Sequence, residues 1–289
     1  MTGDQASKLR QKLADNQSER TARTIAIASG KGGAGKSNVA LNFSLDLLHH
    51  DKKVLLFDLD IGMGNLDILL GLDPKATIID MFANRSAIQD IIETGPLGLA
   101  YVAGGSALND FFRLGTEEQD YFFQAFDDVT YLYDYIIFDM GAGASEETMT
   151  FVMASDECMV VANPEPTSIT DAYGLIKHIV HSRWNMPISL IMNRSPSVKN
   201  GRKALVRFQR VVQQFLNHHI RLLGTLPDDR TVSDAVLQQV PYILLNDKAA
   251  VSRAMRKLTS DYLRDDTTNE QLSRSFVQKL KMFMSGDKR

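Results

Sequence analysis

The residues best suited to chemistry lie in one glycine-rich stretch near the start of the chain. An apolar run over 24–29 is followed by Gly30-Lys-Gly-Gly-Ala-Gly-Lys-Ser37. A buried strand, a glycine loop and the start of a helix would gather backbone N–H groups and a helix N-terminus around one point, which suits a phosphate chain. Lys36 could then reach the β- and γ-phosphates, and the Ser37 hydroxyl could bind Mg²⁺.

Two motifs overlap in this stretch, and they predict different functions. Residues 30–37 fit G-x-x-x-x-G-K-[ST], the phosphate loop of nucleoside triphosphatases. Three of the glycines also fit G-x-G-x-x-G, the dinucleotide fingerprint, and Asp58 lies at about the distance expected for a ribose-binding acid. A dehydrogenase has no need for Lys36 and Ser37. The phosphate loop is therefore favoured if carboxylates elsewhere supply the metal and water chemistry.

Two later apolar runs supply those carboxylates. Residues 54–57 indicate a strand that ends in Asp58-Leu-Asp60, and a further strand delivers Asp139, followed by Gly141-Ala-Gly143. A buried run ending in Asp is the Walker B pattern, and the glycines allow a loop that senses a γ-phosphate. Because parallel sheets bind ligands at the carboxyl ends of their strands, these acids should meet the phosphate loop at one rim.

Strands alternate with helices along most of the chain, which predicts an α/β fold with a doubly wound, mainly parallel sheet flanked by helices. The predicted strands are 24–29, 54–57, 99–102, 135–139, 159–162, 188–192 and 222–226. Longer helices are expected at 77–93 and, with a basic face, at 202–219. The predicted division is an N-terminal arm at 1–22, a nucleotide-binding domain at 23–264, and a hinge with a C-terminal helix at 265–289.

The composition is that of an ordinary soluble protein, with 44% hydrophobic residues, 23% charged residues and a net charge of −3. The single cysteine, Cys158, excludes a disulfide framework and fits a reducing cytosol. The first residues lack an apolar signal region and no run approaches the length of a membrane span, so neither secretion nor membrane spanning is expected.

The charge distribution is uneven. No acidic residue lies between Asp171 and Asp228, whereas the same interval holds nine Lys or Arg residues and four His residues. Such a basic face could meet nucleic acid, an acidic protein or anionic lipid, or it could be a solvated helix face balanced by acids elsewhere.

Both ends of the chain have patterns of their own. In the polar arm, Asp4 can cap a short helix that carries Leu9 and Leu13 on one side. Near the other end Thr268 and Gln271 can form a capping box. Beyond it, one arc at helical spacing is apolar: Leu272, Phe276, Val277, Leu280, Phe283 and Met284. This pattern predicts either an amphipathic helix lying on a membrane or a terminal helix docked on the protein's own core.

These residues resemble a known family. The segment Lys31-Gly-Gly-Ala-Gly-Lys-Ser37 is a deviant Walker A motif with an extra lysine, and together with 58–67 and 139–143 it resembles the MinD/ParA ATPases, which are P-loop NTPases. Within that family, 165–177 and the arm segment 4–10 are similar to the FlhG type, which regulates flagellar number. The resemblance covers nearly the whole chain. It departs at Gly64, where MinD commonly has arginine.

The resemblance implies ATP and ADP as nucleotides with Mg²⁺, and a role for each matched position. Lys36 would hold the phosphates with the loop amides of Gly32, Gly33, Ala34 and Gly35, and Ser37 would ligate Mg²⁺. Lys31 would reach across a dimer to the partner's nucleotide, and Asp60 would orient the attacking water. The metal's outer shell would contain Asp58 and Asp139. Adenine would be held by Asn193, Pro227 and Asp228.

The resemblance also implies partners. The ATP state would be a homodimer that touches the inner face of the cell membrane through the C-terminal apolar arc, and the ADP state would be cytoplasmic. The arm would stimulate the GTPase FlhF, with Gln5 entering its nucleotide site; the arm residues concerned are Asp4, Gln5, Ala6, Leu9 and Arg10. The protein would deliver C-ring proteins of the FliM, FliN or FliY type.

Alternative functions share parts of this site. A MinD-type division-site ATPase and a ParA-type DNA-partition ATPase have the same nucleotide chemistry, although nucleic-acid binding is not the expected function here. An NAD-linked oxidoreductase would ignore Mg²⁺. An iron–sulfur reductase of the nitrogenase type shares the loop, but one cysteine per subunit cannot supply half of a four-cysteine cluster site in a dimer.

Overall fold

The computed structural model describes residues 21–60, 66–104, 112, 115–182, 186–266 and 275–285. Eight strands form one sheet in the order β3-β4-β2-β5-β1-β6-β7-β8. The sheet is parallel apart from β3, which runs antiparallel to β4 at one edge. The strands are β1 Arg23–Ser29, β2 Val54–Leu59, β3 Ile92–Thr94, β4 Ala100–Val102, β5 Tyr135–Ala142, β6 Glu157–Ala162, β7 Ile188–Ser195 and β8 Arg221–Pro227. This architecture confirms the predicted doubly wound α/β fold.

Helices cover both faces of the sheet, and each face has its own buried apolar cluster. In chain order the helices are α1 Lys36–His49, α2 Leu66–Leu70, α3 Ile78–Asn84, α4 Thr116–Thr130, α5 Glu146–Ala154, α6 Pro166–His181, α7 Val198–Leu216, α8 Arg230–Gln238, α9 Tyr242–Leu245, α10 Ala250–Asp266 and α11 Phe276–Met284. One cluster includes residues of α3 to α7 and α11; the other includes residues of α1, α2 and α8 to α10. Because both faces are covered, the central strands are continuous apolar runs rather than alternating ones.

The predicted helix at 77–93 is wrong. Helix α3 starts at a capping box formed by Thr77 and Asp80 and stops at Asn84, because Arg85 takes a left-handed conformation with φ of 50°. A short 3₁₀ turn at Ile88–Ile91 follows, and Ile92–Thr94 pairs with β4 as the antiparallel edge strand. The isoleucines that suggested one helix therefore belong to three elements.

The basic helix starts and ends earlier than predicted. The Ser197 hydroxyl accepts from the Asn200 amide and begins α7 at Val198. Asn217 has a left-handed φ of 48°, so the helix ends at Leu216 and its predicted last residues lie outside it. Three shorter helices, α8 to α10, follow β8 in a part of the domain for which no separate helices were predicted.

The C-terminal helix is docked on the domain. Phe276, Val277 and Leu280 are buried in the apolar cluster, and the Phe276 ring lies 4.8 Å from the Phe126 ring and 4.9 Å from the Phe138 ring. Partly buried Phe283 and Met284 pack against the same cluster. Of the two predicted arrangements, the structure shows the docked helix, because aromatic side chains of α4 and β5 cover its apolar face; contact with lipid stays a prediction.

The cap of this helix and its charged contacts are also defined. Ser275 and Gln278 form its capping box, whereas the predicted box of Thr268 and Gln271, together with Leu272, lies outside the described residues. Lys279 is buried and forms an ion pair with Asp156, which also accepts bonds from the Thr24 amide (2.8 Å) and hydroxyl (2.7 Å). Lys281, on the exposed side, pairs with Asp120 at 3.2 Å. None of the helices described is long and apolar enough to cross a membrane.

Candidate nucleotide-binding site

The glycine loop lies between β1 and α1 at the carboxyl edge of the sheet. Gly33 and Gly35 have φ of 81° and 87°, the left-handed region in which a side chain is strained. A Cβ atom at Gly35 would also lie 2.3 Å from Nδ2 of Asn193. No side chain caps the start of α1. The first amides of this helix therefore remain available to an anion.

Lys36 is surrounded by the acids that the sequence predicted. It is 5% exposed, and its Nζ lies 2.7 Å from Oδ1 of Asp139, 3.3 Å from Oδ2 of Asp60 and 3.4 Å from the Ser37 hydroxyl. Burial alone would lower the pKa of Lys36, but the two carboxylates outweigh it and raise the pKa above its ordinary value. The ammonium group therefore stays charged and is held by the two carboxylates.

The two buried carboxylates at this rim, Asp58 and Asp139, differ in their surroundings. Asp58 accepts from the amides of Asp60 (3.1 Å) and Leu66 (3.4 Å), and burial together with nearby Asp139 raises its pKa to about 7. Burial also raises the pKa of Asp139, against the opposing effect of Lys36. One oxygen of Asp139, Oδ2, is buried without a hydrogen-bond partner. Three carboxylates facing one lysine leave an excess of negative charge, which a divalent cation would offset.

The residues present fit a magnesium nucleotide. Among the described residues, no group of three His, Cys, Asp or Glu side chains could hold a metal ion unaided. Mg²⁺ would therefore depend on the Ser37 hydroxyl and phosphate oxygens, with the unpartnered Asp139 oxygen available to a metal-bound water. Bound there, the metal would supply charge neutralisation for the phosphates.

Three carbonyls of the loop accept hydrogen bonds from side chains at the ends of β1 and β7. The Ser29 hydroxyl donates to Lys31 O at 3.0 Å, Asn193 Nδ2 to Ala34 O at 2.8 Å, and Arg194 Nη1 to Gly33 O at 3.3 Å. Asn193, which was predicted to hold adenine, thus supports the loop through its amide nitrogen; its contact with a base stays a prediction. The roles of Ser29 and Arg194 were missed, because no motif marks a side chain that donates to a carbonyl of the loop.

The remaining predicted site residues lie at the same rim or outside the described chain. Pro227 pairs with Ser195 at the end of β7, and the Asp228 amide donates to Ser195 O at 2.8 Å. This places both residues of the predicted adenine segment one strand away from Asn193. Lys31 is exposed and forms no ion pair with any described residue, so it is separate from the Lys36 cluster. The arm residues 4–10 are not among those described.

The basic segment forms one continuous exposed surface. Five cationic side chains and Val206 line a groove of about 420 Å³ along α7; the cations are Lys199, Arg202, Lys203, Arg207 and Arg210. Within the described chain none of the five has an ion-pair partner. Acids elsewhere in the described fold therefore do not balance this face by direct contact.

Comparison with known proteins identifies the family. A family described as "ParA: NUBPL iron-transfer P-loop NTPase" matches residues 20–263. The antiactivator FleN of Pseudomonas aeruginosa is 35% identical over 217 residues, which is 75% of this chain and 78% of FleN. The flagellum site-determining protein YlxH of Helicobacter pylori is 36% identical over 190 residues, 65% of this chain and 64% of YlxH.

A solved structure shares the fold. The septum site-determining protein MinD of Pyrococcus horikoshii, complexed with Mg-ADP, superposes with a TM-score of 0.67 at 24% identity, covering 87% of this chain and 100% of that one. The TM-score shows that the fold is shared. The chain belongs to the MinD/ParA family of P-loop ATPases, in the group that includes FleN and YlxH.

Proposed function

We propose that this protein is an ATP-dependent dimerising switch that controls flagellar number and location. The observation that supports the flagellar assignment most is the similarity to FleN and YlxH, because YlxH is named for determining flagellum sites. In the proposed cycle the ATP-bound dimer lies at the inner face of the membrane and delivers C-ring proteins of the FliM, FliN or FliY type. Its arm stimulates the GTPase FlhF, and hydrolysis returns a cytoplasmic monomer.

The contacts of Lys36 explain how nucleotide binding could start this cycle. Phosphoryl transfer needs positioning and charge neutralisation more than covalent help. Incoming phosphates would compete with Asp60 and Asp139 for the Lys36 ammonium, which forms ion pairs with both acids. Once Lys36 binds phosphate, Asp60 is freed to orient a water. The ion pair thus keeps the proposed water-positioning group occupied until substrate arrives.

Membrane contact requires a further change, because the apolar face of α11 is buried against the domain. The helix would have to leave the aromatic cluster before it could reach lipid. One short amphipathic helix binds a membrane marginally. Two helices in one dimer would raise the apparent affinity by about 10²–10⁴ when both engage. Dimerisation would therefore favour release of both helices, because the two can bind the membrane together.

A single lysine tests whether docking restrains membrane binding. Lys279→Ala removes one partner of the buried ion pair with Asp156, a change that typically costs about 3–5 kcal/mol. That cost would shift docking toward release by about two orders of magnitude or more. We expect the nucleotide-free variant to float with anionic vesicles severalfold more than the parent, measured by density-gradient flotation with the domain's folding checked by circular dichroism.

The matched control is Lys281→Ala on the same helix. It removes the same charge, but its partner Asp120 is on the surface, where such pairs contribute about 0–1 kcal/mol. We expect no gain in flotation for this variant, and none for a chain lacking 268–289. If the truncated chain bound vesicles as well as the parent with ATP, the helix would not be the membrane contact.

The arm is tested separately with a peptide of residues 1–22. We expect the peptide to stimulate GTP hydrolysis by FlhF, and the Gln5→Ala peptide to lose that stimulation, since a glutamine amide entering the nucleotide site could orient the attacking water. Phosphate release from FlhF measures both. A peptide with Gln11→Ala keeps the composition similar and serves as control. Equal stimulation by the Gln5→Ala peptide and the parent peptide would remove Gln5 from this role.

A further inference from the structure

Helix α7 presents a cationic face to solvent. Its opposite side packs against β7 and β8 through buried residues at helical spacing, which are Gly201, Leu205, Phe208 and Val212. Because an α-helix turns by about 100° per residue, the cations of the groove fall together on the side away from the sheet. The cationic face of α7 consists of Lys199, Arg202, Lys203, Arg207 and Arg210. All five are exposed, and α7 itself contains no acidic residue.

The neighbouring surface does not offset this charge. Helix α6 lies beside α7. It has no carboxylate after Asp171, and the exposed side chains of its last two turns are Lys177, His178 and His181. Exposed acids of α4 lie on the same face of the sheet but at its far end, because Phe126 of α4 packs on Phe57 of β2, four strands away from β7. The charge is thus positive over β7 and β8 and negative over β2.

The cationic face of α7 and helix α11 lie on the same side of the sheet. Leu205 and Phe208 of α7 belong to the same apolar cluster as Phe276 and Leu280 of α11. The exposed sides of both helices therefore face away from the sheet in the same general direction. Strands are spaced about 4.8 Å apart, so β5 under α11 and β7 under α7 are separated by about 15 Å. A surface that receives α11 would come close to the cationic face.

The chain that leads into α11 starts beside a strand that α7 covers. Helix α10, which precedes it, is held there by an ion pair of 2.9 Å between Asp265 and Arg221 at the start of β8. The chain between residues 266 and 275 can span at most about 30 Å. If α11 left the aromatic cluster for a membrane, it would stay tethered within that distance of the start of β8. The helix and the cationic face would then meet the same stretch of bilayer.

An apolar helix of this size needs a second signal for stable membrane attachment. One short amphipathic anchor gives marginal binding, whereas an anchor combined with a polybasic patch holds. Each Lys or Arg close to an anionic lipid surface strengthens binding by about fivefold, so five in each subunit would add about 10³-fold. Because the net charge of the whole chain is −3, this attraction must come from one face rather than from the protein as a whole.

We propose that the cationic face of α7 is a second membrane contact, which binds the headgroups of an anionic lipid surface beside α11. The inference rests on the membrane contact of α11 proposed above and extends it to a part of the domain that no motif marks. In the membrane-bound dimer each subunit contributes one apolar helix and one cationic face. The exposed acids of α4 are repelled by the same lipids, so the domain is oriented with its β8 edge toward the bilayer.

Three substitutions on the cationic face test this contact. In the full-length variant Arg202→Gln/Lys203→Gln/Arg207→Gln, each change removes a charge and keeps a long side chain with good helix propensity. Flotation with ATP is measured against phosphatidylcholine vesicles with and without phosphatidylglycerol. We expect the partition coefficient onto the anionic vesicles to fall about 10²-fold and the weaker binding to neutral vesicles to stay unchanged. The salt dependence of anionic binding should also become shallower.

The matched control neutralises three cations on the other face of the sheet. Lys248→Gln/Arg253→Gln/Lys257→Gln changes exposed side chains in α10 and just before it, and α10 packs on the other apolar cluster. This control should float like the parent. Both triple variants should form the ATP-dependent dimer in light scattering and unfold close to the parent's midpoint.

The outcomes separate this contact from the membrane contact of α11. Unchanged anionic binding by the α7 variant, or an equal loss in the control, would overturn the inference. So would loss of its ATP-dependent dimer, which would place these cations in the subunit interface, or loss of affinity for duplex DNA with flotation kept, which would assign them to nucleic acid. A parent that bound both kinds of vesicle equally would leave α11 as the membrane contact and remove α7. If the parent floated with neither, the proposed membrane contact itself would fail.

Discussion

Asp60→Ala is expected to lose ATP turnover while it still binds ATP. Asp60 is one of two carboxylates that hold Lys36, and after its removal Asp139 still pairs with the ammonium at 2.7 Å. The lysine therefore remains charged and in place, with one competitor fewer for the phosphates. A residue that positions the attacking water typically contributes about 10²–10⁴-fold in rate. We expect kcat to fall by at least about 10²-fold in a phosphate-release assay, with the affinity for ATP kept or raised.

The same variant should accumulate as a dimer, because it reaches the ATP state and cannot leave it. Size-exclusion chromatography with light scattering measures this directly. Asp73→Ala, which removes an exposed carboxylate with no described contact, is the charge-matched control and should turn over ATP like the parent. Full activity of Asp60→Ala would remove Asp60 from the water-positioning role. Loss of ATP binding would instead assign Asp60 to holding the nucleotide.

The convergence of Lys36 and the three acids was predictable from the sequence for a topological reason. Each acid directly follows or ends an apolar run, and parallel strands bring their carboxyl ends to one edge whatever their exact register. Local patterns therefore sufficed for Asp60 and Asp139, although about 80 residues separate them in the chain.

The support of the loop was not predictable in the same way. Asn193 and Arg194 reach the loop only because β6 and β7 pair beside β1 in one particular register. Nothing in the apolar run of β7 indicates whether the polar residues at its end will face the loop or solvent.

Where a helix ends and what it packs against could not be predicted from local sequence either, because tertiary contacts determine both. The isoleucines at 88–92 fit a helical period, but Ile88 and Ile91 lie in a 3₁₀ turn and Ile92 pairs with β4. Similarly, an apolar arc at helical spacing looks the same whether lipid or protein covers it. In α11, aromatic rings that are distant in sequence cover the apolar arc. Lys279, which flanks the arc in sequence, is buried against Asp156 and also holds the helix on the domain.

Lys31→Ala is expected to abolish the ATP-dependent dimer while sparing the monomer. Lys31 is exposed and takes part in none of the described ion pairs, so its removal breaks no described contact within the subunit. Folding and ATP binding by the isolated chain should therefore be close to those of the parent. A charge that is buried against phosphate across an interface is worth about 2–5 kcal/mol, so the dimer should weaken by about 30-fold to several thousandfold.

Pairing this change with Asp60→Ala separates dimerisation from turnover. Asp60→Ala alone should hold the dimer indefinitely under saturating ATP, whereas the double variant should remain monomeric although it cannot hydrolyse ATP. Monomers in the double variant would then reflect a missing interface contact rather than rapid hydrolysis. Lys199→Ala, from the exposed face of α7, controls for net charge and should dimerise like the parent. If Lys31→Ala dimerised as tightly as the parent, Lys31 would not join the two subunits through the nucleotide. Membrane recruitment by a bivalent dimer would then need another cause.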